Sequence, residues 1–184
     1  MIDKAPPPKP TLKAAPATRE PLFIGRHADS GLVVFLDFDG VLHPLGPGNR
    51  RFANAPVFLA SLRSMQALGA RPSLALSTTW RFQPMALILS ELDKAAPGLA
   101  SFVEGRCGRI EPSEAPSWLG SRHAEILDYC QARAHGPAPR FAIVDDQASL
   151  FGPGHAPSAL LLCNPALGFT AHDGARLASI AIAR

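Results

Sequence analysis

The chain has 184 residues, 47% of them hydrophobic and 18% charged, which is enough for one domain with a sizeable core. No apolar run approaches the ~20 residues of a membrane-spanning helix, and the charged, proline-bearing N-terminus lacks the apolar centre of a secretory signal. The net charge of +3 is weak as a sign of nucleic-acid binding, because residues 1–30 carry five basic side chains against three acidic ones and hold much of the excess.

Residues 1–30, with the run PPPKP, show no sustained periodicity and read as a disordered Pro-rich tail; the folded domain is expected over residues 31–184. From Leu32 onward, strand and helix signals alternate. Strand-like runs fall at 32–37 (LVVFLD), 73–77 (SLALS), more weakly at 101–103 (SFV), 140–145 (RFAIVD) and 159–163 (ALLLC). Helix-like segments lie between and after them at 56–69, 83–95, 121–134 and 173–183. In the third helix, Ser121 reads as the N-cap, and Ile126, Leu127 and Cys130 as the apolar stripe. The strands are continuously apolar rather than alternating, as expected when helices cover both faces of a parallel sheet. The expected fold class is therefore α/β: a doubly wound, mainly parallel, Rossmann-like sheet.

Function in such sheets gathers at the carboxyl ends of the strands, and the polar residues fall there. The first run ends in Asp37-Phe38-Asp39-Gly40, the second in Ser77-Thr78-Thr79-Trp80-Arg81, and the fourth in Asp145-Asp146. Strand alternation sends Asp37 and Asp39 off on the same side. Crowded carboxylates are costly unless a cation neutralises them or one keeps its proton, which points to a metal and to acid–base chemistry. An Asp nucleophile attacking phosphorus splits phosphoester hydrolysis into two easier steps. Mg²⁺ would screen the approach of two anions, with Asp37, Asp145 and the backbone carbonyl of Asp39 as ligands and Asp146 beside them. Asp39 would protonate the leaving oxygen and then activate water. Ser77 would donate to a phosphoryl oxygen, and an Arg would balance the developing charge.

These motifs, in this order, resemble the haloacid dehalogenase (HAD) superfamily, mostly phosphatases, over roughly residues 32–170. DFDGV (37–41) is similar to the motif of nucleophile and general acid/base, LALS (74–77) to the strand ending in Ser or Thr, and IVDD (143–146) to the acidic pair that completes the Mg²⁺ site. The resemblance implies a basic residue before the helix that leads to the acidic pair. Arg122 in GSRHAEIL takes that place, with Arg106 and Arg109 as other candidates; Lys94 is the sole Lys after the tail. Asp39 argues against dehalogenation, which has no alkoxide to protonate. The wider pattern DFDGVLHP, STTWR, RHAEI, VDD and LGFT (167–170) resembles the small HAD domains of Swiss Army Knife RNA repair proteins. That resemblance implies nucleic-acid end phosphates as a substrate class. The gaps between the motifs are too short for a full cap domain, so an open site and a large substrate are expected.

Several residues carry two readings. His43 is either a substrate contact or a solvated loop residue. Thr78 can share the role of Ser77. Trp80 and Arg81 can stack on a base and hold a second phosphate, or serve the core and a helix start. Arg50 and Arg51, in the Gly-rich loop 45–52 beside the site, belong to a mobile flap or are simply solvated, and Glu125 holds a helix or pairs with an Arg rather than performing catalysis. Cys107, Cys130 and Cys163 match neither a disulfide framework nor a zinc pattern and read as reduced thiols in a cytoplasm, and the six His residues show no metal-ligand spacing. The rival functions are a degenerate HAD-like module that binds phosphate or RNA without hydrolysis, and a phosphatase of small metabolites or nucleotides. A signalling receiver domain is disfavoured, because there the acidic pair precedes the phosphorylated Asp. The tail can tether the chain to an RNA repair partner; the oligomeric state is open.

Overall fold

The computed structural model describes residues 21–24, 31–110, 120–133, 140–152 and 158–182. They form a six-stranded sheet: β1 (Leu22–Phe23), β2 (Leu32–Leu36), β3 (Pro72–Leu76), β4 (Val103–Arg106), β5 (Phe141–Asp145) and β6 (Leu160–Leu162). Four helices accompany it: α1 (Ala55–Ala67), α2 (Met85–Ala95), α3 (Ser121–Arg133) and α4 (Ala171–Ile182). The spatial order is β1-β4-β3-β2-β5-β6, parallel throughout except for β1, which pairs antiparallel to β4. From central β2 the chain builds outward through β3 and β4, then returns to the other side of β2 for β5 and β6. The point where the direction of building reverses therefore lies between β2 and β5, where α/β sheets open a crevice for ligands.

The apolar strands divide their side chains by parity. Leu32, Val34 and Leu36 enter one core with Phe58 and Leu62 of α1, Ile88 and Leu92 of α2, and Leu177 of α4. Val33 and Phe35 enter the other, with Ile126, Tyr129 and Cys130 of α3 and with Phe151. A strand with helices on both sides has no polar face, which is why LVVFL is apolar at every position. Among the described residues nothing larger than a loop, helix, 3-10 turn or sheet strand lies between the motifs; residues 111–119 and 134–139 of the last gap lie outside them.

The expected elements are found, with three local differences. The weak strand expected at 101–103 is shifted to Val103–Arg106, and Ala100–Phe102 is a 3-10 turn. The Asp93 carboxylate accepts from the N–H groups of Gly98 and Ala100, which winds the chain tightly before the strand begins. In α3, Ser121 is already helical and the Gly120 carbonyl accepts from the Ala124 N–H, so Gly120 is the capping position. The buried stripe of α3 runs through Arg122, Glu125, Ile126, Tyr129 and Cys130, while Leu127 is exposed. Finally, Leu22–Phe23, inside the segment read as tail, form an edge strand whose Phe23 ring lies 4.8 Å from Tyr129; residues 1–20 and 25–30 of that tail lie outside the described residues.

Candidate active site

The site is built where three parallel strands end side by side. The sheet ladder continues one residue past each strand: Asp37 N–H donates to the Val144 carbonyl, and Ser77 N–H to the Leu36 carbonyl. Register alone therefore puts Asp37 next to Ser77 on one side and beside Asp145 on the other. After Asp37 the chain turns sharply. The Phe38 carbonyl accepts from the N–H groups of Val41, Leu42 and His43, and the Phe38 ring is driven into the core against Phe52 and Trp80.

Gly40 makes the turn with φ +72°, and a Cβ there would lie 2.2 Å from Asp146 Oδ2. Only a residue without a side chain lets the first acidic loop and the Asp145-Asp146 loop close on each other.

Asp37, Asp145 and Asp146 each offer a carboxylate oxygen, and the three oxygens lie within 4.8 Å of one another. Asp145 is fully buried and Asp37 nearly so. Burial first, and the Asp37 charge after the opposing pull of Arg122, push the Asp145 carboxyl up to about 7; burial and Asp37 also raise Asp146. Arg122, brought in by the buried face of α3, bridges the group: its Nη1 is 3.0 Å from Asp145 Oδ2 and 3.6 Å from Asp37 Oδ2. One Asp37 oxygen accepts from the Phe38 N–H at 2.8 Å and one Asp145 oxygen from the Gln147 N–H at 2.9 Å, so both carboxylates are oriented by backbone. The Ser77 hydroxyl is fully buried at the neighbouring strand end with no hydrogen-bond partner among the described residues. A buried donor left unsatisfied costs free energy, and an anionic ligand oxygen would satisfy it. The acidic trio, an oriented Asp and the unsatisfied hydroxyl fit a divalent cation together with a phosphoryl group.

Asp39 has side-chain partners of its own. Its carboxylate accepts from Trp80 Nε1 at 3.1 Å and meets His43 Nε2 at 2.9 Å. The carboxylates that gather with Asp37 are those of Asp145 and Asp146; the Asp39 carboxylate is half-exposed, and its charge still reaches Asp146, whose carboxyl it helps to raise. His43, read as either a substrate contact or a solvated loop residue, pairs with Asp39; its position four residues after Asp39 was the available signal. The Trp80 bond to Asp39 had none, since 41 positions separate them.

Two further expectations are redirected. The Thr78 side chain is buried and accepts from the Trp80 N–H, capping the 3-10 turn Thr79–Phe82. Arg81 turns inward: Nη2 donates to Glu125 Oε1 at 2.7 Å, and Nη1 donates to the Ser77 and Thr78 carbonyls. With 7% exposure, Arg81 shapes the loop that carries Ser77 rather than reaching outward to a phosphate. Glu125 is the Arg partner its position suggested. Arg106 likewise donates to the Arg81 and Gln83 carbonyls, and Arg109 lies over the Phe82 ring, while Arg122 contacts the acidic trio.

The late LGFT segment braces the loop from behind. Phe169 N–H donates to the Val41 carbonyl, and Asn54 Nδ2 to the Leu167 carbonyl, both at 2.7 Å. Gly168 (φ +66°) makes that approach, because a Cβ there would meet Asn54 and the Val41 carbonyl. Thr170 and Asp173 then cap α4 reciprocally.

The family described as the HAD domain in Swiss Army Knife RNA repair proteins matches residues 33–173, spanning all four motif regions. The chain belongs to that family. Its mainly parallel, Rossmann-like sheet is that of a HAD domain, and the buried Asp cluster is compatible with one. No curated protein and no solved structure gives a significant match to the chain. Among the described residues no helix is long and apolar enough to cross a membrane.

Proposed function

We propose that this HAD domain is a Mg²⁺-dependent phosphomonoester hydrolase that works through an aspartyl phosphate on Asp37. The observation that carries the reading is the meeting of Asp37, Asp145 and Asp146 within 4.8 Å, bridged by Arg122 and flanked by the unsatisfied Ser77 hydroxyl. Asp37, Asp145 and Asp146, with the backbone carbonyl of Asp39, would hold Mg²⁺, which screens the charge between carboxylates and substrate and orients both.

In the first step, Asp37 attacks phosphorus and the bond from phosphorus to the leaving oxygen breaks. Asp39 gives that oxygen a proton, and the Trp80 and His43 contacts fix where its carboxylate points. In the second step, Asp39 takes a proton from water, the water oxygen bonds to phosphorus, and the acyl phosphate bond to Asp37 breaks to release inorganic phosphate. Ser77 donates to a phosphoryl oxygen, and Arg122 offsets negative charge on the transferring group.

The short connections between motifs favour a substrate large enough to cover the site itself, and the family description favours a nucleic-acid end phosphate. The free, buried Cys107, Cys130 and Cys163 suit a reducing, cytoplasmic setting.

The Asp37→Asn protein is expected to lose phosphate release by roughly 10³-fold or more while keeping its melting temperature within a few degrees. Phosphate release from 3′- and 5′-phosphorylated oligonucleotides, nucleotides and phosphopeptides, with Mg²⁺ or EDTA, is the measurement. Turnover equal to that of the unaltered chain would reject the mechanism.

A further inference from the structure

Resting on the phosphatase reading, we propose that the groove beside Trp80 is the leaving-group subsite and that it takes the base of a phosphorylated nucleoside. The groove has a volume of about 430 Å³ and is lined by Arg51, Thr79, Trp80, Gln83 and Leu87. That volume lies within the roughly 300–1,000 Å³ of small-molecule sites.

Its place in the molecule follows from Asp39. The group that protonates a leaving oxygen must have the leaving alcohol beside it, and Trp80 both touches Asp39 through Nε1 and forms a wall of the groove. From there the groove runs along the 3-10 turn Thr79–Phe82 to Leu87 on α2. An alcohol leaving from Asp39 therefore has this groove to occupy.

The walls suit a flat, partly polar ring. Phe52 has φ 53°, a left-handed backbone rare for a bulky residue. The Phe52 ring is buried against Phe38, His43 and Trp80, while exposed Arg51 before it lies over the indole. The Arg51 guanidinium carbon is 5.0 Å from the centre of the Trp80 ring, a cation–π contact. The guanidinium covers one face of the indole, and a base entering the groove would stack on this planar cation, a platform that accepts bases of any identity. The Thr79 hydroxyl and the Gln83 amide bring both donor and acceptor capacity to the edge of a base. Leu87, about half exposed, adds apolar surface. A sugar alone has no π-face for this platform, and an alkyl alcohol has no use for the polar pair.

The test uses the Asp37→Asn chain, which reads binding without turnover, in Mg²⁺ and by calorimetry. The probes are 5′-AMP, 3′-AMP, ribose 5-phosphate and phosphotyrosine. The nucleotides are expected to bind about tenfold or more tightly than ribose 5-phosphate. Adding Arg51→Ala should erase that advantage and leave ribose 5-phosphate affinity unchanged, and Gln83→Ala should weaken the nucleotides alone. Comparison of 5′-AMP with 3′-AMP assigns which end of the nucleoside faces Asp39.

Equal binding of nucleotides and ribose 5-phosphate overturns the proposal. So does an equal loss for all probes in Arg51→Ala, or tighter binding of phosphotyrosine than of either nucleotide. A failure of the phosphatase reading looks different: the unaltered chain would release no phosphate from any substrate, while the binding comparison would still stand.

Discussion

At Gly40, one missing methyl group decides whether two acidic loops can meet. The residue combines a left-handed φ with a space already filled by Asp146 Oδ2, so any side chain brings both backbone strain and a clash with a member of the acidic trio. Gly40→Ala is expected to lower stability by roughly 1–3 kcal/mol and to cut phosphate release at least about tenfold as Asp146 moves aside. Thermal melts and phosphate assays on the same preparation check both halves. Wild-type values in both would show that the loop has room the close contact denies. Asp39 illustrates the same scale differently. Its carboxylate is anchored by Trp80 and His43, while Asp145 and Asp146 are the acids that gather with Asp37.

Among the elements, α3 does two jobs with one buried face. At spacing i and i+3 it sends Arg122 to Asp37 and Asp145, and Glu125 to Arg81. Arg81 in turn fixes the Ser77 and Thr78 carbonyls, so the loop carrying the unsatisfied Ser77 hydroxyl is tied to the helix carrying Arg122. Both partners of the Arg81–Glu125 pair are almost fully buried. Removing one leaves a charge without compensation: Glu125→Ala should destabilise by about 3–5 kcal/mol, and Arg81→Met combined with Glu125→Ala by much less than the sum of the two single changes. Denaturant unfolding of the four proteins measures the coupling. Additive costs would mean that the pair does not act as a unit.

For the molecule as a whole, the acidic trio links stability to pH and to cations. Asp145 titrates near pH 7 in the fold against an ordinary value of 3.8, with Asp146 raised as well. Between those two pH values the unfolded chain has lost the Asp145 proton and the folded chain still holds it. The folded state then binds more protons, so stability falls as pH rises through this window. The EDTA-treated protein should lose on the order of 5 °C in melting temperature between pH 5 and pH 7.5. Saturating Mg²⁺ should raise the melting temperature more at pH 7.5 than at pH 5, because it favours the ionised carboxylates. A flat pH profile without metal, or an equal Mg²⁺ effect at both pH values, would contradict the assignment of the trio as a cation site.

The sequence by itself determined the sheet, the order of its motifs and the strand ends where Asp37, Ser77 and Asp145 appear. Those features rest on local periodicity and on turn chemistry, which neighbouring residues fix. Glu125 as an Arg partner was one of two legible readings, helix support being the other; its place on the buried face of α3 came from the structure. The tertiary structure alone decided which groups meet across long separations. It gathered Asp145 and Asp146 about Asp37, gave Asp39 to Trp80 and His43, and turned Thr78 and Arg81 inward. It also drew Leu22–Phe23 onto the sheet edge, where Phe23 meets Tyr129. Pairings between residues tens of positions apart depend on strand order and helix placement, and no short window of sequence contains that information.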